Sequence, residues 1–334
     1  MTVNAEMNPL MGLTLASTPK KPRAKATAKS SPDNSSEMHD QAPPARSAVD
    51  KLSGVQIDPE SGLHIGTIDI DGQLLRVGIR PRPANSTARS GAPLLLFNGI
   101  GANMELAGPL LAELDQFESV IFDLPGAGKS PPPKYPYRLF GMARLARKLL
   151  DELGYGTVDV MGVSWGGGLA QQFAIQYPKR VRRLVLAATA MGGPTMIPGN
   201  PSVLLKMVNP RRYLDKGYMK RVAPLLYGGD LRTDPDAIKL FTDHAKGGDK
   251  KGYRYQMLAM MGWTSLPWLW RIKHPTLVMA GNDDPLVPLI NARLHAWLLS
   301  DARLHILNDG HLFLLTRAKE TANTIAAFLD ESKA

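Results

Sequence analysis

The sequence predicts an α/β protein with a mostly parallel sheet of eight strands, helices on both faces and a helical insertion. Short continuous apolar runs alternate along the chain with helical stretches such as "GMARLARKLLDEL". The apolar runs are "APLLLFNGIG", "SVIFDLPG", "VDVMGVS", "RLVLAATA", "TLVMAG" and "RLHILND". Such alternation is typical of parallel strands that are buried on both faces. Two alternating runs around Asp71-Gly72 precede them and predict a β-hairpin.

A long interval interrupts this rhythm after "RLVLAATA". Residues 193–272 lack a strand pattern and are helical, basic and rich in Met and Trp. We expect them to form a lid over the carboxyl edge of the sheet, where α/β proteins bind ligands. The core then comprises residues 63–192 and 273–334. Residues 1–62 are rich in Pro, Ala, Ser and Lys and are predicted to be disordered.

Composition excludes several functional classes. Cysteine is absent, which excludes disulfides, thiolate metal sites and a thiol nucleophile. The His and carboxylate spacings match no metal-ligand pattern, and "FDLPGAGKS" lacks the spacing of a phosphate loop. We therefore expect no cofactor and no metal. No apolar stretch approaches the ~20 residues of a membrane span, and Glu6 precedes the N-terminal apolar patch, unlike in a secretory signal. A cytoplasmic protein is expected.

The net charge of +10 arises in the folded part of the chain, because residues 1–65 contain seven basic and seven acidic side chains. Residues 193–272 contain thirteen basic and six acidic side chains, a net charge of +7. A patch of this kind attracts an anionic surface, although a solvated basic face is an equally good interpretation. We expect no nucleic-acid partner.

Ser164 is the predicted nucleophile. It lies in "GVSWG", at the junction between an apolar strand and a helical stretch. A sharp strand-to-helix turn exposes its middle residue, and glycines flank that residue where the backbones pass too closely for a side chain. The helix N-terminus beyond Ser164 favours negative charge. A glycine turn with an incidental serine is the alternative, and the strand-to-helix placement argues against it.

His311 is the predicted base, and Asp284 is predicted to orient it. His311 follows "RLHILNDG", so it lies at the carboxyl edge of the sheet and after the serine in the chain. The loop "AGNDDPLVP" provides two carboxylates. Asp284, just before "PLVP", is the preferred acid, and Asp283 remains a second candidate that could hydrogen-bond the turn instead.

Two backbone N–H groups are the predicted oxyanion donors. The residue after the nucleophile, Trp165, is the first. The second is assigned to Ile100 in "FNGIGAN", where Gly99 and Gly101 allow close approach and Asn98 replaces the more usual histidine.

These motifs resemble those of the α/β-hydrolases. "LLLFNGIGAN", "GVSWGGGLAQQFA", "GWTS", "AGNDDPLVPLINARL" and "DGHLFLLTRA" together resemble the intracellular depolymerases of medium-chain-length polyhydroxyalkanoates, from about Ile65 to the C-terminus. The resemblance implies hydrolysis of a storage polyester to 3-hydroxyalkanoic acids by Ser164, Asp284 and His311. It implies a hydrophobic polyester granule, or its surface proteins, as the partner. The N-terminal extension departs from the family pattern.

The lid supplies candidate substrate contacts, because Met is adaptable and Trp suits an interface with one wet side. The candidates are Met207, Met257, Met260, Trp263 and Trp268. Most apolar residues of the lid are expected to form its own core, and a minority an exposed patch that grips polymer or granule.

Two alternatives remain open at this point. One is an enzyme of the same fold that hydrolyses small soluble esters or a carbon–carbon bond. The other is a non-catalytic granule-surface binding protein. A polyester synthase is set aside, because synthases resembling this fold use cysteine at the nucleophile position and this chain has none.

Overall fold

A single mixed sheet forms the centre of this computed structural model, which describes residues 48–209, 216–245 and 248–332. Within these ranges the sheet has nine strands, in the spatial order β1-β2-β3-β5-β4-β6-β7-β8-β9. The strands are β1 (Ser53–Ile57), β2 (His64–Ile70), β3 (Gln73–Arg80), β4 (Leu94–Phe97), β5 (Ser119–Phe122), β6 (Val158–Val163), β7 (Val181–Ala187), β8 (Thr276–Gly281) and β9 (Ala302–Leu307).

The strand pairing confirms the mostly parallel sheet. β1, β2, β3 and β5 pair antiparallel in that order, whereas β5, β4, β6, β7, β8 and β9 pair parallel. The β2–β3 connection is the predicted tight turn, in which Asp71 and Gly72 have φ of 53° and 80°. The carboxyl ends of these six parallel strands therefore meet at one edge, which is where the functional motifs follow.

Helices cover both faces of the sheet and fill the interval between β7 and β8. Their bounds are α1 (Gly108–Glu113), α2 (Leu139–Leu153), α3 (Trp165–Gln176), α4 (Pro201–Val208), α5 (Lys216–Tyr227), α6 (Asp230–Thr233), α7 (Pro235–His244), α8 (Lys250–Met260), α9 (Leu289–Leu298), α10 (Phe313–Thr316) and α11 (Ala318–Leu329). Short 3₁₀ helices lie at Met104–Ala107, Pro178–Arg180, Gly193–Thr195 and Leu266–Arg271.

Alternate residues of the continuous apolar strands pack on opposite sides of the sheet. In β4, Leu95 and Phe97 join the core formed with α2, α3 and α9, whereas Leu94 and Leu96 join the core formed with α1 and α11. This is the expected consequence of a side-chain period of two in a sheet that is buried on both faces.

The interval between β7 and β8 has its own small core. Described residues of α5, α6 and α7, such as Leu226, Leu231 and Phe241, pack together and against Leu286 and Leu315 of the main domain. All described secondary-structure elements in residues 193–272 are helices, in agreement with the helical pattern of the sequence.

Two expectations need correction. Disorder was predicted through residue 62, and eight strands were expected, but β1 lies at Ser53–Ile57 and makes a ninth strand. All five residues of β1 are exposed, so this edge strand lacks the buried apolar pattern on which the prediction depended. Ala48 and Leu52 just before it are buried in the core. Residues 1–47 of the predicted disordered extension lie outside the described residues.

Gly166→Ala is expected to destabilise the fold, because a Cβ at Gly166 would lie 2.1 Å from the Phe97 carbonyl oxygen. Overpacking of this kind costs about 1–3 kcal/mol or more. Gly141→Ala is the matched control, since Gly141 is also helical and its Cβ would meet nothing within 4 Å. That substitution should be neutral or stabilise by up to about 1 kcal/mol. Urea unfolding of both variants provides the measurement, and equal effects would contradict the packing argument.

Candidate active site

Ser164 lies at a strained turn between β6 and α3. Its backbone has φ 54° and ψ −117°, a region that residues other than glycine rarely occupy. A Cβ at Gly162 would lie 2.3 Å from the Gly166 carbonyl oxygen. The strand and the first turn of the helix thus touch backbone to backbone, and glycine is required on both sides of the serine.

Three hydrogen bonds hold this turn in place. The Ser164 N–H donates to the Ala187 carbonyl at 2.9 Å, and the Ser164 carbonyl accepts from the Gly167 N–H at 2.9 Å. The same carbonyl accepts from the Thr189 hydroxyl at 2.7 Å. The adjacent strand β7 and the loop that follows it therefore stabilise the strained conformation.

His311 and Asp284 are paired in the structure. His311 Nδ1 lies 2.6 Å from Asp284 Oδ2, and both side chains are almost fully buried. The other carboxylate oxygen of Asp284 accepts from the N–H groups of Leu286 and Val287, each at 2.9 Å. With both oxygens engaged, the carboxylate fixes the orientation of the imidazole through Nδ1 and favours one tautomer.

Asp283 points to a different partner. Its Oδ2 accepts from the Gly229 N–H at 2.8 Å and lies 3.0 Å from the Arg232 guanidinium. Its side chain is about half exposed. Of the two candidate acids, the structure pairs Asp284 with His311 and uses Asp283 to attach the loop between α5 and α6.

One cavity of about 170 Å³ brings the serine and the histidine together. Ser164, His311 and the predicted oxyanion residue Ile100 all line it. Its remaining walls are largely apolar and come from both the main domain and the insertion: Leu106, Val163, Met207, Met219, Phe241 and Leu286. No Lys, Arg, Asp or Glu of the described chain lines this cavity.

The two predicted oxyanion N–H groups are free of protein acceptors within residues 48–209, 216–245 and 248–332. The neighbouring amides are engaged, since the Gly99 N–H donates to Asn98 Oδ1 at 3.0 Å and the Gly101 N–H donates to Gln256 Oε1 at 2.6 Å. In this loop the N–H of Ile100 therefore remains available for a ligand, and Trp165 begins α3, where N–H groups lack intrahelical partners.

Gln256 is a site residue that sequence reasoning missed. It lies on α8 of the insertion and is fully buried. Its side-chain oxygen accepts from the Gly101 N–H, and its main-chain oxygen accepts from the Trp165 indole N–H at 2.9 Å. One residue thus contacts both segments that bear the predicted oxyanion donors. No motif surrounds Gln256 in the sequence, so only the folded structure identifies it.

Tyr227 is a second missed residue. Its carbonyl accepts from the His311 N–H at 2.6 Å, and the two rings stack with centroids 6.1 Å apart. A Cβ at Gly310 would lie 2.0 Å from that carbonyl. Glycine before His311 is therefore needed because the end of α5 lies directly against the histidine loop.

A buried polar network supports the loop that carries Ile100. Asn98 Nδ2 donates to the Asn103 carbonyl at 2.8 Å, and Asn103 Nδ2 donates to Glu105 at 2.6 Å. Burial alone would raise the pKa of Glu105, but hydrogen bonds from Arg76 and Asn103 outweigh burial and lower the pKa to about 2. Asp123 also contacts Arg76 and accepts from the Met104 N–H, so it holds the backbone that follows this loop.

The five substrate candidates of the insertion fall into three groups. Met207 lines the cavity. Met260 and Trp263 pack against the main core. Met257 and Trp268 are 37% and 50% exposed and do not line the cavity. Within the described residues, only one of the five therefore borders the space beside Ser164.

Neither a metal-binding cluster nor a membrane-spanning helix occurs in the part of the chain that the structure describes. No group of three or more His, Asp or Glu side chains there is arranged to hold a metal ion. In the same part of the chain, no helix combines the length and apolarity needed to cross a membrane.

Comparison with known proteins identifies the family. The family described as "alpha/beta hydrolase fold" matches residues 92–318. Poly(3-hydroxyalkanoate) depolymerase of Ectopseudomonas oleovorans is 50% identical over 268 residues, which cover 80% of this chain and 93% of that protein. 2-Hydroxymuconate semialdehyde hydrolase of Pseudomonas sp. strain CF600 is 29% identical over 287 residues, which cover 80% and 96%. The crystal structure of the enol-lactonase from Burkholderia xenovorans LB400 matches with a TM-score of 0.68 and 25% identity, covering 79% and 100%.

The chain therefore belongs to the α/β-hydrolase fold family, and it is a carboxylic ester hydrolase. The resemblance to polyhydroxyalkanoate depolymerases that the motifs suggested is confirmed by the similarity to the E. oleovorans protein.

Gln256→Met should lower kcat for a soluble ester by about 10–100-fold with little change in KM, because the loop bearing Ile100 loses its anchor. The loss should be smaller for the matching thionoester, whose sulfur is a weaker acceptor. Gln172→Met is the control: it also removes an insertion contact, with the Trp263 indole, but leaves the oxyanion loop intact. Equal losses for both substrates would indicate general loosening and contradict a positioning role.

Proposed function

We propose that this chain is a serine esterase that hydrolyses intracellular medium-chain-length polyhydroxyalkanoate to 3-hydroxyalkanoic acids. The observation that carries the proposal is the uncharged, largely apolar cavity that joins Ser164, the Asp284–His311 pair and the Ile100 N–H. Neutral esters with alkyl side chains match such walls. The E. oleovorans relative, named as a poly(3-hydroxyalkanoate) depolymerase, supports the polyester as the substrate.

The reaction proceeds in two acyl-transfer steps. His311 Nε2 accepts the proton of the Ser164 hydroxyl while the Ser164 oxygen attacks the ester carbonyl. Asp284 stabilises the imidazolium that forms on His311. The N–H groups of Trp165 and Ile100 stabilise the oxyanion. Collapse of the tetrahedral intermediate transfers the proton to the leaving alkoxide and forms a 3-hydroxyacyl-enzyme. Water, deprotonated by His311, then releases the acid and restores Ser164.

A hydrolase for small soluble substrates or a carbon–carbon bond is the second candidate, favoured by the similarity to 2-hydroxymuconate semialdehyde hydrolase. 2-Hydroxymuconate semialdehyde carries a carboxylate, and no Lys or Arg of the described chain lines the cavity to pair with one. A non-catalytic granule-binding protein would have no need for the buried Asp284–His311 pair, because a buried ionisable pair is costly to retain. Both observations favour the polyester esterase.

The proposed location is the cytoplasm, on storage granules. The substrate is an insoluble polymer, so the enzyme must meet it at a surface. The Met- and Trp-rich outer face of the insertion and its positive charge favour such a surface.

Ser164→Ala should keep the fold and lower the release of free acid from suspended medium-chain polyester by about 10⁴–10⁶-fold. The same loss is expected for a short-chain nitrophenyl ester, since one nucleophile serves both. Circular dichroism of the variant provides the folding control. A variant that retains most of the wild-type rate would contradict the assignment of the nucleophile. Wild-type protein that cleaves only the soluble ester would favour the second candidate.

Asp284→Asn should lower kcat by about 10³–10⁴-fold, because the amide no longer stabilises the correct tautomer and the imidazolium of His311. Asp283→Asn is the matched control, one residue away and bonded to Gly229 and Arg232 instead. It should lower kcat much less. Steady-state kinetics on the soluble ester compares the two, and a larger loss at position 283 would reverse the assignment.

A further inference from the structure

The second half of the insertion presents a surface that the catalytic cavity does not use. Six large apolar side chains of this segment are exposed: Met257, Leu258, Met261, Leu266, Trp268 and Trp270. They are interspersed with five exposed cations, Lys250, Lys251, Arg254, Arg271 and Lys273. We call these eleven side chains the cationic-apolar face.

The apolar side chains of this face are unusually open to solvent. Met261 is 67% exposed and Trp270 is 64% exposed. Large exposed apolar residues that cluster in one short segment mark a site of interaction rather than ordinary surface. Tryptophan in particular suits a boundary between water and an apolar phase, because its ring is apolar and its N–H is polar.

The charges of the face are not balanced. Residues 250–282 contain five Lys or Arg and no Asp or Glu. Among the described residues, none of these five cations forms an ion pair; Lys251 lies over the Tyr255 ring and Arg271 over the Trp270 ring. The nearest carboxylate before this run is Asp249, the N-cap of α8, whose side chain accepts hydrogen bonds from the Lys251 and Gly252 N–H groups. By contrast, α7 and its N-cap contain three acidic residues and a single Lys in the same insertion. Positive side chains therefore outnumber negative ones in this segment.

The opposite side of the segment is fixed to the main domain. Besides the contacts of Gln256, the Trp263 indole N–H donates to Gln172 at 2.8 Å and the Ser265 hydroxyl donates to Gln171 at 2.5 Å. A surface that is already ordered loses little conformational entropy on binding. Because α8 also contacts the oxyanion loop, the face lies on the same insertion helix that supports the catalytic edge.

We propose that the cationic-apolar face binds an anionic lipid surface. Each Lys or Arg close to such a surface contributes about 1 kcal/mol, while Trp, Leu and Met enter the boundary between headgroups and acyl chains. A hydrophobic polyester particle in water needs an amphiphile coat, so this contact would bring the esterase to its substrate. That link to the granule rests on the proposed function, whereas binding to lipid does not.

The test is the partition of the full chain onto vesicles, measured by co-flotation. We expect binding to equimolar phosphatidylcholine and phosphatidylglycerol, weakening as salt rises, and none to phosphatidylcholine alone. The double variant Met261→Ser/Trp270→Ser should bind about tenfold or more weakly. The triple variant Lys250→Gln/Lys251→Gln/Arg254→Gln should lose the dependence on anionic lipid. Cleavage of a soluble short-chain ester should stay at the wild-type rate in the double variant.

Two controls lie in the other half of the insertion. Leu205→Ser removes an apolar side chain that is 70% exposed, and Lys239→Gln removes an exposed cation that lies between Asp236 and Asp243 in the sequence. Neither should change vesicle binding. Absence of binding to anionic vesicles, or equal binding by the double variant, overturns the proposal. So does a dimer that the double variant abolishes in sedimentation velocity, because a second copy would then cover the face. Loss of esterase activity in Ser164→Ala leaves all these outcomes unchanged, so the two proposals fail separately.

Discussion

The close approach of three backbone segments around Ser164 is the constraint on which the rest of the structure depends. The end of β6, the first turn of α3 and the end of β4 meet where a Cβ at Gly162 or Gly166 would strike backbone atoms. This contact directs Ser164 to the carboxyl edge of the sheet with a positive φ. Such a conformation costs of order 1–3 kcal/mol, and hydrogen bonds from Thr189 and to Ala187 offset it.

The insertion also takes part in building the site. Two of its contacts with the main domain touch different parts of the candidate site. Tyr227, at the end of α5, bonds the His311 backbone, and Gln256, on α8, bonds the loop of Ile100 and the indole of Trp165. An insertion that only covered the cavity would not need these contacts. Its inner side therefore helps to position the loops that carry His311 and Ile100, while its exposed side carries, among the described residues, the unpaired cations and the exposed tryptophans.

Much of the fold was predictable because parallel α/β sheets leave a strong trace in the sequence. The apolar runs that became β4 to β8 are continuous, since both of their faces are buried. β1 could not be found in this way, because an exposed edge strand needs no apolar pattern. Of the apolar candidates in the insertion, Met207 borders the cavity while Met260 and Trp263 pack into the core. Composition alone does not distinguish these positions, because all three are large apolar residues of the insertion.

The sequence by itself determined the fold class, the order of Ser164, Asp284 and His311 along the chain, and the glycines that flank the nucleophile. These follow from local pattern, because each motif must lie where a strand ends. Only the tertiary structure distinguishes the surroundings of Asp284 and Asp283, since both follow the same strand and differ in direction: one carboxylate faces His311 and the other Arg232. It alone revealed Gln256, whose contacts join residues 91 and 155 positions apart in the chain. Contacts at that separation depend on how the insertion packs, which no local pattern encodes.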